Sequence, residues 1–187
     1  KTTSYIDSIS NLLPTIQDWI ASRWAILRGA LIGFVIGVLP GAGATIASMV
    51  SYAVEKRCSR YPERFGTGVI EGVAGPEGAN NAATGGALVP LLTLGIPGSG
   101  TTAVMLGALM IHGLRPGPLL FEKQPEFVWG LIASMYVGNV MLLILNLPLV
   151  GLWARLLKVP PRVLLPIILA FSVVGVFTLN NHVGEVW

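Results

Sequence analysis

The stretch LLTLGIPGSGTTAVMLGAL, residues 91–109, decides how this chain is read. It is apolar enough for a membrane interior, yet Gly95-Ile96-Pro97-Gly98-Ser99-Gly100 interrupts it at the centre. Proline removes an N–H and ends the helix before it. The glycines open backbone conformations closed to other residues. A helix restarting after the break has unpaired N–H groups in its first turn. In a bilayer such groups must face protein, water or a ligand.

The same pattern occurs earlier. Pro40-Gly41-Ala42-Gly43-Ala44-Thr45 and Pro97-Gly98-Ser99-Gly100-Thr101-Thr102 both read P-G-[AS]-G-[AT]-T, 57 residues apart. Paired broken helices near the bilayer midplane mark the binding site of secondary transporters. Restarting N-termini attract anions, and the carbonyls of Leu94, Gly95 and Ile96 just upstream suit a cation. The alternative is that Gly and Pro only kink helices and bring them close together.

Working outward, residues 29–54, 78–114, 127–154 and 163–184 carry no Asp, Glu, Lys or Arg. A charge-free apolar run of about 18 or more residues reads as a span. The mean hydropathy is +0.71 and 11% of the 187 residues are charged, where a soluble domain carries about 25%. An all-α membrane protein follows: a multi-span helical bundle with a re-entrant hairpin and a discontinuous transmembrane helix, half of an inverted-repeat transporter.

We expect one transmembrane domain over 1–187, with these elements. Residues 4–22 form an interfacial amphipathic helix or a polar connector kinked at Pro14. Residues 24–54 form the hairpin, with arms of about 11–16 residues and hence about 16–24 Å. Residues 55–81 are a polar stretch holding eight charges. Residues 82–114 form the broken span, and 127–150 and 163–179 are spans. Arg155, Lys158 and Arg162 place loop 153–162 in the cytoplasm, and loop 115–126 outside. Arg23, Arg28, Lys56 and Arg57 then put both ends of 24–54 inside, which suits a hairpin and not a through-span. Trp19, Trp24, Trp129, Trp153 and Trp187 fall where an aromatic belt lies.

The net charge of +3 resides in loops, with no nucleic-acid motif. Cys58 is the single cysteine, so neither a disulfide framework nor a Cys-based metal site is expected. P-loop, HExxH and GxSxG motifs are absent, and no enzyme activity or cofactor is expected. The chain begins at Lys1 and ends at Trp187 just after a span, which reads as a piece of a longer protein.

The runs GVLPGAGATIASMVSYAVEKR and FGTGVIEGVAGPEGANNAATGGALVPLLTLGIPGSGTTAVMLGALMIHGLRPGP, with the span that follows, resemble TctA, the large membrane subunit of bacterial tripartite tricarboxylate transporters. The resemblance covers about residue 24 to the end and departs at Gly75 and Gly78, where alanine is expected. It implies uptake of citrate-like or related carboxylates across the bacterial inner membrane by a multi-pass protein. A Na+ or H+ gradient would drive it, and a small membrane subunit and a periplasmic solute-binding protein would be partners. It also implies a longer chain, of which this is the core of the second half. The missing half would carry a related repeat of opposite orientation.

The candidate substrate residues are Thr45, Ser48, Gly98, Ser99, Gly100, Thr101 and Thr102, as hydroxyl or amide donors. Their bland role is a bond to the preceding helical turn. Pro40, Gly41, Gly43 and Pro97 form the breaks. Asn80, Asn81, Gly95 and Ile96 are candidate oxygen ligands for a coupling cation, the two asparagines doubling as caps at the mouth of the span. Glu71 and Glu77 are membrane-near acids or solvated loop acids paired to Arg60 or Arg64. His112 is an interfacial residue or a proton relay. The competing functions are an anion channel, using the same exposed carbonyls without coupling, and a non-transporting scaffold, in which the break glycines would tolerate alanine.

Overall fold

The computed structural model describes residues 13–156 and 159–180. Every regular element among them is helical, as expected: α1 (Ile16–Val38), α2 (Gly43–Cys58), a 3-10 turn (Pro62–Arg64), α3 (Glu71–Leu94), α4 (Gly100–Ile111), α5 (Pro118–Lys123), α6 (Pro125–Leu156) and α7 (Pro161–Asn180). The contacts divide the chain into two compact units, Leu13–Met135 and a second one whose described part begins at Tyr136. The second unit holds the rest of α6 and α7, whose apolar side chains are largely exposed. Ile16–Val38 and Pro125–Ala154 are long and apolar enough to cross a membrane.

Local chemistry sets the helix ends. At the start of α1, Thr15 Oγ1 accepts the Asp18 N–H at 3.2 Å, and Asp18 Oδ2 accepts the Thr15 N–H at 2.8 Å. This reciprocal cap makes residues 16–22 the first turns of a long α1, rather than the end of a separate interfacial helix over 4–22; residues 4–12 lie outside the described part. Pro40 ends α1 by forcing Leu39 into an extended conformation (φ −77°, ψ 121°). Gly95 ends α3 in the left-handed region (φ 71°, ψ 21°), its N–H bonded to the Leu91 carbonyl and that of Ile96 to the Pro90 carbonyl. Pro97 then prevents resumption, and Ser99 caps α4.

α3 starts at Glu71, eleven residues before the expected 82. Propensity argued against a helix through the Gly- and Pro-bearing GVAGPEGANN, but packing overrides it. Ser22, Ala25, Gly29, Gly33 and Gly37 are the buried residues of α1. A Cβ on Gly29, Gly33 or Gly37 would fall 2.1, 2.1 and 2.3 Å from the carbonyl oxygens of Gly75, Ala79 and Ala83. The two backbones touch in register, so α1 and α3 run in the same direction. This is the small-residue packing that lets helices approach closely in membranes.

α2 returns antiparallel to both. Ala47 packs with Ala79 and Ala83, and Glu55, 2% exposed, pairs with Arg28 at the open end of the hairpin. The Arg28 Nε–Glu55 Oε2 distance is 2.9 Å, and Nη2 bonds the other carboxylate oxygen. The pair is bidentate, the stronger geometry for Arg and carboxylate.

Candidate functional site

The two breaks meet in space. The Gly41 N–H at the hairpin tip donates to the Gly98 carbonyl at 3.1 Å. Gly98 is buried; a Cβ there would sit 3.1 Å from both the Gly37 carbonyl oxygen and Ala87 Cβ. The loop after α3 thus doubles back from Gly95, beside Pro116, to Gly98, beside Ala87. α4 then restarts next to the hairpin tip, and its Leu109 joins the same apolar cluster as Leu92 of α3. The chain therefore continues past the break instead of retracing α3.

A cavity of about 550 Å³ opens at this junction, within the size range of small-molecule sites. Gly41, Gly43, Thr45, Ser99, Gly100, Thr101 and Thr102 all line it. α3 contributes Ala83, Thr84, Ala87 and Leu88, and Met105, Leu131 and Met135 close an apolar side. No Lys, Arg, Asp or Glu is among the lining residues. Two helices begin at the wall. Ala42 at the N-cap of α2 makes no side-chain cap bond, so the first-turn amides of α2 have no hydroxyl or carboxylate partner. At α4 the Ser99 hydroxyl accepts the Thr102 N–H at 3.3 Å and the Thr102 hydroxyl accepts the Ser99 N–H at 2.8 Å. The amides of Gly100 and Thr101 are outside that exchange. Two positive dipole ends, several N–H groups and hydroxyls converge without a fixed cation, a chemistry suited to anions.

The candidates separate clearly. The Thr102 side chain lines the cavity, but its hydroxyl is committed to the cap and to the Ser99 carbonyl at 2.9 Å. Ser48 does not line the cavity; its hydroxyl donates to the Ala44 carbonyl at 3.0 Å, the back-bond of the preceding turn. Asn80 and Asn81 lie inside α3 rather than at its mouth, so they are not caps. The Asn81 side-chain amide donates to the Glu77 backbone carbonyl at 3.0 Å, and the Asn80 backbone carbonyl accepts from the Thr84 hydroxyl at 3.3 Å. Gly95 and Ile96 form the C-terminal turn of α3. None of these four cation candidates lines the cavity. Glu71 and Glu77 are on α3 as well, and neither forms an ion pair with Arg60 or Arg64 among the described residues. Sequence reasoning missed the α3 wall, Ala83, Thr84, Ala87 and Leu88, and the Arg28–Glu55 pair. The four-residue spacing of small side chains in α1 and α3 was the available signal for the wall.

Two interrupted helical segments thus meet at one cavity, in a chain with two helices of membrane length among the described residues, an arrangement shared by broken-helix membrane proteins. The chain belongs to the tripartite tricarboxylate transporter TctA family, whose model matches residues 1–187. It is 45% identical over 182 residues to an uncharacterized 52.8 kDa protein in the TAR-I ttuC' 3' region of Agrobacterium vitis, covering 97% of this chain and 36% of that protein. It is 50% identical over 155 residues to an uncharacterized protein in the TAR-II ttuC' 3' region of the same organism, covering 83% of this chain and 64% of that one. The chain thus spans about a third of the first relative and just under two thirds of the second. No solved structure shows significant similarity to it.

Proposed function

We propose that this chain is part of the solute-carrying core of a secondary active transporter, multi-pass in the bacterial inner membrane. It imports citrate-like tricarboxylates or related carboxylates, driven by a Na+ or H+ gradient. Its partners are a small membrane subunit and a periplasmic solute-binding protein. The observation that carries the reading is the junction of the two breaks: Gly41 bonded to Gly98, with Thr45, Ser99 and Thr101 and two helix starts around one cavity.

Although α1 as a whole is long enough to cross a bilayer, the part beyond its charged pair has the depth of a re-entrant hairpin. Arg28 and Leu39 are eleven residues apart, about 17 Å along a helix and so about half of a 30 Å bilayer core. With the charged Arg28–Glu55 end at the cytoplasmic surface, the tip and the cavity fall near the midplane. A carboxylate there takes hydrogen bonds from the Thr101 hydroxyl, from the free first-turn amides, and from the Ser99 hydroxyl in exchange for its 3.1 Å contact with Thr102 Oγ1. With no fixed cation in the wall, a co-bound Na+ or H+ lowers the cost of the anion's charge in a low-dielectric site, which is a physical basis for coupling.

The test is uptake of labelled citrate into vesicles holding the full-length protein and its small subunit. The binding protein is added, with and without an imposed Na+ gradient. Saturable, gradient-stimulated uptake that Ser99→Leu abolishes, with membrane insertion retained, is the expected result. Non-saturable, gradient-independent flux would instead mean a channel, and normal uptake by Ser99→Leu would remove the cavity from the pathway.

A further inference from the structure

The described part of the Leu13–Met135 unit has a second pocket, of about 340 Å³, at the far end of α3 from the hairpin base. Its place follows from two contacts: the Gly117 N–H donates to the Leu92 carbonyl at 3.0 Å, and Pro116 packs on Gly95. α3 runs from Glu71 to Leu94, so this end lies about 35 Å from the start of the helix. The central cavity opens beside Ala83–Leu88, between the two ends.

This pocket differs in chemistry from the central one. Arg115, Lys123 and Gln124 line it with Leu114, Leu119 and Leu120. Neither Arg115 nor Lys123 is paired with a carboxylate among the described residues, and Glu122 and Glu126 are not part of the lining. Positive-left-handed glycines at Gly113 (φ 73°) and Gly117 (φ 152°) fold the 111–118 connection tightly around it.

The two pockets border one apolar cluster. Leu92, Leu109, Leu120 and Val128 are buried together. Leu120 of that cluster and Leu114, packed against it, line this pocket, and Leu88 and Leu131, also packed against it, line the central cavity. A charged solute cannot cross such a layer without its moving aside, whereas a basic concavity at its outer side raises the local concentration of anions.

We propose that the Arg115–Lys123 pocket is an outer collecting site for carboxylate solutes, held apart from the central cavity by the Leu92–Leu109–Leu120–Val128 layer acting as a barrier. The proposal rests on the transport reading for its ligand class, and it adds a site that reading does not contain. Guanidinium and ammonium groups bind a carboxylate as exposed ion pairs. The hold is weak and salt-sensitive, which suits transfer onward. Two bare positive charges do the attracting here, where the central cavity uses neutral donors.

The test reads the pocket without transport. In the full-length protein with its native cysteines replaced (Cys58→Ser among them), Leu119→Cys places a thiol in the pocket wall. Its labelling rate is measured with an anionic sulfonate and a cationic ammonium thiosulfonate reagent, with Arg115 and Lys123 intact and in the Arg115→Gln/Lys123→Gln background. At low salt we expect the anionic rate to fall and the cationic rate to rise by about fourfold each in that background, so that their ratio drops by more than about tenfold, as two unit charges within about 8 Å in water imply. Citrate should slow the anionic reagent only while both cations are present. An unchanged ratio, or no protection by citrate with both cations present, overturns the collecting site whatever uptake shows. Absence of wild-type uptake of citrate and of every related carboxylate that slows the labelling would refute the transport reading and leave the labelling result to stand by itself.

Discussion

Gly33→Ala separates helix propensity from packing, because the two predict opposite signs. In an exposed helix interior, replacing Gly by Ala stabilises by about 1 kcal/mol. At Gly33 the new methyl would lie 2.1 Å from the Ala79 carbonyl oxygen and 2.6 Å from Ala79 Cα. The obstacle is backbone, so no rotamer change relieves it. α1 and α3 must separate by about 1 Å to reach even a tight contact, and overpacking of this kind costs about 1–3 kcal/mol. The net effect is destabilisation of about 0–2 kcal/mol where propensity alone gives a gain. The displacement also carries Gly37, and with it the hairpin tip, away from Ala83 and Gly98. We expect a lower midpoint for thermal unfolding of the full-length protein in detergent, with loss of uptake exceeding loss of folded protein. Gly85→Ala is the control, since nothing lies within 4 Å of its Cβ position, and it should hold or raise the midpoint. A Gly33→Ala midpoint raised as far as that of Gly85→Ala, with normal uptake, would refute the close α1–α3 approach.

The other predictions follow from single contacts. Arg28→Met strands the buried Glu55 carboxylate and should cost about 3–5 kcal/mol, while the Arg28→Met/Glu55→Leu double variant should recover most of it; a denaturant series on the three proteins reads the difference. Among the break glycines, Gly98→Ala and Gly41→Ala should impair uptake, the first against Ala87 and the Gly37 carbonyl, the second by its φ of 82°. Gly100→Ala, with open space at its Cβ, should transport nearly normally, so uniform tolerance across the set would favour a scaffold. Thr102→Val should cost about 1 kcal/mol by breaking the α4 cap, while Ser48→Ala should leave half-saturating citrate unchanged in the uptake assay, because that hydroxyl only bonds its own helix.

Class and breaks were legible in the sequence because both depend on local chemistry. Charge-free apolar runs favour membrane-facing helices, and Pro40 and Pro97, each followed by glycine, mark interruptions, whereas Pro76 and Pro90 are held within α3. The repeated P-G-[AS]-G-[AT]-T pattern marked eight of the residues that line the cavity: Gly41, Gly43, Ala44, Thr45, Ser99, Gly100, Thr101 and Thr102. The start of α3 was not legible. Gly72, Gly75, Pro76 and Gly78 disfavour a helix locally, and only contact with the glycine face of α1 makes the smallness of those side chains an advantage. The cation candidates illustrate the same limit: Asn80 and Asn81 are polar and adjacent, but both fall inside α3 and outside the cavity lining, and the Asn81 amide bonds its own helix at the Glu77 carbonyl.

The sequence by itself determined that the chain is helical, apolar at membrane length and broken at two matching places, since each property belongs to a short window of residues. Only the tertiary structure decided that the breaks meet through Gly41 and Gly98, that α1 and α3 run in parallel at backbone contact, and that Glu55 faces Arg28. Those facts depend on which small residue falls opposite which carbonyl across 46 residues of chain, as Gly33 does opposite Ala79, and such pairings carry no signature in any one segment.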